Sequence, residues 1–168
     1  MALVLDATLG GATANTYLTL AEAEIYFEKR HHSDDWDDAT DAQKNEVLAM
    51  SARMIDSMYD FVGTIMTTTQ ALRWPRGNVY DIDGRYLTPT EIPSPIANAQ
   101  CEQALYLLST DPTALPAILS QGIKRAKIGP LEVEASMSFQ PKQMAPNTTW
   151  AVGSLGSLRN SSISLRRA

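Results

Sequence analysis

The sequence lacks the features that mark secreted and membrane proteins. It has one cysteine, Cys101, so no disulfide can form within the chain, which is typical of a reducing compartment. No apolar run approaches the roughly 20 residues of a membrane-spanning helix. The opening MALVLDATLGG has no basic segment before its short apolar run, as a signal peptide would. We therefore expect a soluble protein made inside the cell, and its 168 residues suffice for one domain with its own core.

Histidines are equally scarce, and no catalytic or metal-binding pattern surrounds them. His31 and His32 precede the aspartate-rich run DDWDDAT, which suggests a metal site at first sight. Adjacent histidines point in different directions, however, and the run has neither the glycine nor the closing glutamate of a calcium loop. A solvated loop is the favoured interpretation. Cys101 falls on an apolar helix face without a base at helical spacing, which indicates packing. The sequence thus predicts no enzyme, no metal site and no cofactor.

Acidic and basic residues are unevenly distributed along the chain. Residues 1–60 carry a net charge of −8 and residues 61–112 carry −2, whereas residues 113–168 carry +5. An acidic body of this kind repels nucleic acid, and a basic tail suits an acidic partner. The alternative is that the charge only keeps the folded part soluble.

Three amphipathic segments predict helices. TLAE and TDAQ are capping boxes, with Thr19 and Thr40 at the N-caps and Glu22 and Gln43 closing them. The first helix is expected to fade near residues 31–32, and the second to continue through Val62 to about Gly63. The third helix is expected to begin at a Ser94 cap with Pro95 in its first turn, and to end before Asp111-Pro112. Its apolar side chains are Ile96, Ala99, Ala104, Leu105, Tyr106 and Leu108.

Between the second and third helices lies QALRWPRGNVYDIDGRYL, residues 70–87, which is rich in aromatics and turn formers. Asp83-Gly84 between aromatic-flanked segments predicts a two-residue β-hairpin. Trp74 between two arginines allows two interpretations. It could stack on a base while the arginines contact phosphates, as in single-strand binders. The favoured alternative is that Trp74 packs on the core while Arg73 and Arg76 pair with nearby acids, leaving a subunit contact as the function of the segment.

The pattern changes after the third helix. Leu131, Val133, Ala135 and Met137 alternate with polar residues, which predicts a half-buried strand. GIKRAKI is its expected antiparallel partner, giving a ribbon within about residues 120–138. Residues 141–168 are rich in Pro, Gly, Ser and Asn, and their apolar residues are isolated, so an extended arm that orders on a partner is expected. The predicted fold is mainly α, a small helical bundle (residues 1–140) with a short β element, followed by this arm.

Four stretches in this order resemble a family of small tailed-bacteriophage proteins. They are ANTYLTLAEAEIYFEKRHHSDDW, QALRWPR, DIDGRYL with EIPSPIANAQCEQALYLL, and IKRAKIGPLEVE, and they cover about Ala14 to Ala135. The family is labelled DnaT-like single-stranded-DNA-binding, and it also resembles the head-completion, or head–tail adaptor, proteins below the portal. This likeness implies a virion protein made in the host cytoplasm. Its implied partners are the portal, the tail or stopper and tail-terminator proteins, and further copies of itself in a ring, a dodecamer, through which DNA passes without sequence-specific binding. No membrane partner is implied.

Two sets of residues are the expected contacts. The subunit or partner interface is assigned to Arg73, Trp74, Arg76, Tyr80 and Tyr86. The portal-binding arm is assigned to Trp150, Leu155, Leu158, Arg159, Ile163, Leu165, Arg166 and Arg167. Deleting residues 141–168 is expected to abolish portal docking while the body stays folded. The alternative function is single-stranded-DNA binding, in which replacing Trp74 by Ala would cost roughly 1–3 kcal/mol of affinity.

Overall fold

The computed structural model describes residues 3–111 and 144–158, and the backbone of two strands in the segment between them. It contains two compact units, Met1–Ser109 with Met144–Ala168, and Thr110–Gln143. The elements are α1 (Leu20–Phe27), α2 (Asp34–Asp37), α3 (Asp41–Met58), β1 (Tyr59–Phe61), β2 (Thr64–Ile65), β3 (Arg76–Gly77), β4 (Val79–Tyr80), β5 (Tyr86–Leu87), α4 (Ser94–Ser109), β6 (Arg125–Ile128), β7 (Leu131–Glu134), α5 (Pro146–Val152), a 3-10 turn (Gly153–Leu155) and β8 (Gly156–Leu158). The strands pair antiparallel as β1–β8, β2–β3, β4–β5 and β6–β7. The prediction of a mainly α fold with short β elements is confirmed.

Both predicted capping boxes are present at the starts of α1 and α3. The Glu22 N–H donates to Thr19 Oγ1 at 3.2 Å, and the Thr19 N–H donates to the Glu22 carboxylate at 2.7 Å. Thr40 and Gln43 make the same two bonds at 3.4 and 3.0 Å. Each box satisfies donors that a helix start leaves unpaired, so the local sequence is enough to fix where these helices begin.

The aspartate-rich run is ordered by a buried tryptophan. It forms the short helix α2, and Trp36, which is fully buried, stacks on Phe27 with ring centroids 4.2 Å apart. The indole Nε1 donates to Glu24 at 3.1 Å, and Lys44 pairs with the same carboxylate at 2.9 Å. Helix α1 ends at Phe27, and turn hydrogen bonds continue the winding to Arg30, close to the predicted end.

Helix α3 ends at Met58, earlier than the expected end near Gly63. Tyr59 has extended backbone angles of φ −112° and ψ 142°, and its strand pairs with β8. Tyr59 and Phe61 are buried while Asp60 is exposed, so a strand period replaces the helical one. Val62 is 42% exposed and does not continue the apolar helix face. The predicted end near Gly63 was wrong because the spacing of Val62 from the apolar residues of α3 also fits a helix.

The predicted hairpin is present between β4 and β5, with one residue more in its loop than expected. Tyr80 lies opposite Tyr86, and the Asp81 N–H donates to the Arg85 carbonyl at 2.9 Å, so residues 82–84 form the loop. The Gly84 N–H donates to the Asp81 carbonyl at 3.0 Å, and Gly84 has φ +76°. This is a turn followed by a left-handed residue, the usual form of a three-residue hairpin loop.

Helix α4 begins slightly before the predicted cap. The Ile96 and Ala97 N–H groups donate to the Pro93 carbonyl at 2.9 and 3.2 Å, so Ser94 lies within the first turn. Its end at Ser109 precedes Asp111-Pro112 as predicted. Gln100, fully buried in this helix, accepts the Tyr17 N–H at 3.0 Å, and its Nε2 donates to the Leu48 carbonyl at 2.8 Å.

Residues 144–158 are folded into the first unit, which corrects the prediction of an extended arm over this range. Met144, Ala145, Val152 and Leu155 are buried in its core. β8 pairs with β1, and the Val62 N–H donates to the Leu155 carbonyl at 3.0 Å. The apolar side chains are isolated in sequence, but partners from distant elements bury them together. The rest of the predicted arm, residues 159–168, lies outside the described residues.

Two polar side chains of α4 hold α5 in place. The fully buried Gln103 accepts the Ala145 N–H at 3.0 Å and the Thr148 hydroxyl at 3.1 Å. Glu102 accepts from Asn147 at 2.9 Å and pairs with Arg30 at 2.8 Å. Burial pushes the pKa of Glu102 upward, but hydrogen bonds from these groups and from the Tyr26 hydroxyl outweigh it, so the pKa lies below its ordinary value.

Two apolar clusters fill the first unit, and α3 and α4 contribute to both. One cluster contains Tyr17, Ile55, Tyr59, Phe61, Trp74, Val79, Ile96, Val152 and Leu155. The other contains Leu18, Ala23, Phe27, Trp36, Leu48, Cys101, Ala104 and Leu105. Among the described residues, no helix has the length and apolar composition needed to cross a membrane.

The second unit contains the predicted ribbon. β6 and β7 are antiparallel, with Ile128 opposite Leu131 and Arg125 opposite Glu134. The strand pair is confirmed at the level of the backbone.

Candidate functional site

Trp74 is a core residue, so it has no face free to stack on a base. It is 2% exposed, and its ring meets Phe61 edge to face with centroids 5.7 Å apart. The packing interpretation is confirmed for Trp74, and the base-stacking alternative is wrong for this residue. Trp74 therefore cannot itself form the predicted subunit contact; it supports the loop that carries exposed residues.

Of the two arginines beside Trp74, Arg76 bonds backbone carbonyls instead of the expected acids, and Arg73 bonds an acid only through its backbone N–H. Arg76 donates from Nε to the Val62 carbonyl at 2.6 Å and from Nη2 to the Gly63 carbonyl at 2.7 Å. Burial, assisted by the charge of Arg73, lowers the pKa of Arg76 from its ordinary value. The backbone N–H of Arg73 donates to Asp56 at 3.0 Å. These bonds use Arg76 to close the β1–β2 turn instead of presenting it to a ligand.

Asp56 fixes the RWPR segment to α3 and was not singled out by the sequence. Its carboxylate accepts the Tyr17 hydroxyl and the Arg73 N–H. Burial raises the pKa of Asp56, and burial together with the Asp56 charge raises that of Tyr17. An aspartate inside the apolar stretch MIDSM was the available signal, since a buried carboxylate requires partners.

The 80–86 hairpin presents an exposed apolar surface, which we call the hairpin surface: Tyr80, Ile82 and Tyr86. These side chains are 58%, 85% and 50% exposed. The two tyrosine rings contact each other edge to face, with centroids 5.6 Å apart. Large apolar groups this exposed at adjacent positions are typical of a binding surface.

Polar contacts at the tip fix the shape of this hairpin. Asp81 accepts the N–H groups of Asp83 and Arg85 at 2.9 and 2.8 Å, and it pairs with the Arg85 guanidinium at 2.7 Å. The backbone hydrogen bond from Arg85 contributes most to holding the pKa of Asp81 below its ordinary value. Exposed ion pairs add little stability, but here they hold the loop in one conformation and leave Arg85 paired.

A groove, which we call the hairpin groove, lies beside the hairpin surface and has a volume of about 460 Å³. Its walls come from residues 81–87 of the hairpin, from residues 91–95 at the start of α4, and from residues 151–155. Ile82 and Leu87 contribute apolar side chains to the lining from the hairpin, and Leu155 does so from residues 151–155. Tyr80 and Tyr86 were predicted as contact residues; the groove and Ile82 were missed, because the 151–155 wall is distant in sequence.

The described part of the first unit is strongly acidic. Residues 3–111 contain 17 acidic and 7 basic side chains, and residues 144–158 contain neither. Three of the basic residues, Arg30, Lys44 and Arg85, form ion pairs with neighbouring carboxylates. No continuous basic track can therefore be drawn on these residues, and such a track is what a nucleic-acid backbone requires.

The residues of the predicted portal-binding arm lie in different environments. Trp150 is 78% exposed and Leu158 is 42% exposed, so both remain available to a partner. Leu155 is 3% exposed and its side chain packs in the core, which corrects its assignment as an arm contact. The remaining arm residues, Arg159, Ile163, Leu165, Arg166 and Arg167, lie outside the described residues.

Metal-ligand clusters and the reactivity of Cys101 were the two chemical possibilities that the sequence raised. No group of three or more His, Cys, Asp or Glu side chains among them could hold a metal ion. The Cys101 thiol is 1% exposed, and burial, with the charges of Glu102 and Glu22, raises its pKa to about 12. The thiolate that a nucleophile requires is therefore not formed near neutral pH.

Comparison with known proteins adds one finding. A family model described as "Putative DnaT-like ssDNA binding protein" matches residues 1–167. No curated protein and no solved structure matches the chain. Because the match covers nearly the whole chain, this protein belongs to the family that this model describes.

Proposed function

We propose that this chain is a structural protein of a tailed-bacteriophage particle, a head–tail connector adaptor that forms a ring below the portal. The observation that carries the proposal is the exposed hairpin surface beside the hairpin groove, on a body whose described residues are strongly acidic. A rigid apolar surface next to a concavity suits contacts between proteins. The proposal assigns no catalysis and no cofactor to the chain.

A ring gives each of these features a role. Head-to-tail closure requires two different complementary faces on every subunit. The hairpin surface supplies one face, and Trp150 and Leu158 are further exposed apolar residues for contacts with the portal or with tail proteins. Acidic residues facing a central channel would repel the phosphate backbone and let DNA slide past.

Purified particles of the phage that encodes the chain provide the test. Quantitative mass spectrometry should find this protein at a fixed ratio to the portal protein, close to one copy per portal copy. A matched measurement on particles that lack tails should give the same ratio if the protein belongs to the connector. Absence from both kinds of particle, with the protein present in infected cells, would refute the proposal.

The second candidate is single-stranded-DNA binding, which the family description favours. Trp74 cannot take part, because it is buried. Binding would have to use the basic residues of 113–168, which carry seven Lys and Arg against two Glu. Fluorescence anisotropy with a labelled oligothymidine measures this directly. Saturable, salt-sensitive binding by the purified chain supports the second candidate, and its absence removes it.

A further inference from the structure

We propose that the hairpin groove of one copy binds residues 159–168 of a neighbouring copy. The inference rests on the proposed function, because it names the contact that would link subunits in the ring. The donor segment is residues 159–168, RNSSISLRRA, which follow the last described residue of the first unit. The receptor is the hairpin groove, all of whose lining residues are described.

The walls of the groove fit apolar side chains. Ile82 is 85% exposed at its rim, and Leu87, Pro93 and Pro95 line it nearby. The donor segment contains Ile163 and Leu165, which are two positions apart and in an extended chain point to the same side. Two such side chains would cover the apolar wall that otherwise faces water.

Charge is complementary between the two parts. Glu91 lines the groove, is exposed, and has no ion pair among the described residues. Asp81 and Arg85, the other charged residues of the lining, pair with each other. The donor segment has three arginines and no acid. An arginine of the donor would therefore meet Glu91 without having to break an existing pair.

The direction of β8 favours a neighbouring copy over the same chain. β8 begins after Leu155, which lines the groove, and runs antiparallel to β1 until Leu158 lies opposite Tyr59. Each residue of a strand moves the chain on by about 3.3 Å, so β8 leaves the groove behind. The ten further residues can span up to about 33–36 Å when extended. A return to the same groove would require the chain to reverse its direction within these ten residues.

Disulfide trapping between two variants tests the proposal with the full chain. One variant carries Ile82→Cys and the other carries Ile163→Cys, and they are mixed, concentrated and oxidised. The natural Cys101 is the only other cysteine and is 1% exposed, so it gives little background. The matched control replaces Ile82→Cys by Ile65→Cys, an exposed isoleucine on β2 that does not line the groove.

The mixed dimer of the Ile82→Cys and Ile163→Cys chains is expected to form at least several-fold faster than the Ile65→Cys control. Adding Glu91→Lys to the Ile82→Cys chain should slow formation of the mixed dimer, because a lysine would repel the arginines of the donor segment. Equal rates for the two pairs overturn the proposal. So does a disulfide that forms only within one chain carrying both Ile82→Cys and Ile163→Cys, because it places the donor in its own groove.

The outcome is independent of the test of the proposed function. Trapping uses the purified chain without portal or particle, so a failure of the groove contact leaves the particle composition to decide the adaptor role. Conversely, a protein absent from particles that still gives the mixed dimer retains the groove contact but not the connector function.

Discussion

Deleting residues 144–168 should unfold the first unit, whereas deleting only residues 159–168 should leave it folded. This expectation differs from the one that the sequence supports, in which residues 141–168 can be removed without harm to the body. The reason is that α5, the 3-10 turn and β8 complete the core and one of the β pairs.

The size of the effect follows from three buried side chains. Met144, Val152 and Leu155 are 4%, 1% and 3% exposed. Burying a side chain of this kind contributes about 1.5–3 kcal/mol, so the three together contribute about 5–9 kcal/mol. The deletion also leaves the Gln103 amide without Ala145 and Thr148, at a cost of about 1–3 kcal/mol. Domains of this size are stable by only about 5–15 kcal/mol, so most of that stability is lost.

Urea titration followed by far-UV circular dichroism distinguishes the two truncations. The chain that ends at Gln143 should show no cooperative transition, and the chain that ends at Leu158 should keep the midpoint of the full chain. The second truncation serves as the control for shortening as such. The reasoning is refuted if the chain that ends at Gln143 unfolds cooperatively with a free energy within about 2 kcal/mol of the full chain.

Three substitutions test other parts of the fold by urea titration. Gln103→Leu should cost about 2–4 kcal/mol, because two buried donors lose their acceptor; a cost below about 0.5 kcal/mol, the range of ordinary surface changes, contradicts this. Glu102→Gln should destabilise the protein at pH 7, and the difference should shrink as the pH falls below the ordinary carboxyl pKa of 4.5. The pKa of Glu102 is lowered in the folded state, so its stabilisation is present above the unfolded pKa and lost as the pH falls through the folded one. A difference that stays constant with pH would be the contrary result. Gly63→Ala should destabilise far more than Gly84→Ala, since both have positive φ but only at Gly63 would a Cβ lie 2.5 Å from the Gly77 carbonyl; equal costs would show that φ alone matters.

Local signals predicted the elements that local interactions form. The boxes at Thr19 and Thr40 involve residues three positions apart, so the sequence contains both partners. The same holds for the 79–87 hairpin and for the β6–β7 ribbon, whose paired strands are close together in the sequence. At the two capping boxes and at the hairpin tip, the residues that favour the element also make its hydrogen bonds.

Contacts between distant residues explain what the sequence did not predict. Val152 and Leu155 look isolated in a polar segment, yet they are buried because α4 and β1 complete their surroundings. Ile82 was not singled out from the sequence, and it is the most exposed residue of the hairpin surface. The groove beside it has walls about 70 residues apart in the chain, so no local pattern could show it.

The charge distribution limits how DNA can meet this protein under either candidate function. Residues 3–111 have an excess of ten acidic side chains, so they repel phosphates, and only residues 113–168 have an excess of basic ones. When a protein binds single-stranded DNA, counterions are released. The logarithm of the affinity then falls with the logarithm of the salt concentration at a slope of about −0.7 per neutralised phosphate. If all seven basic residues of that segment took part, the logarithm of the affinity would fall with the logarithm of the salt concentration at a slope of about −5 at most. A slope near this limit would assign DNA binding to residues 113–168, and a steeper one would contradict the division of charge, because it would require phosphate contacts on the acidic body. Salt-independent or absent binding would agree with the adaptor proposal, in which DNA passes through the channel and the acidic surface repels it.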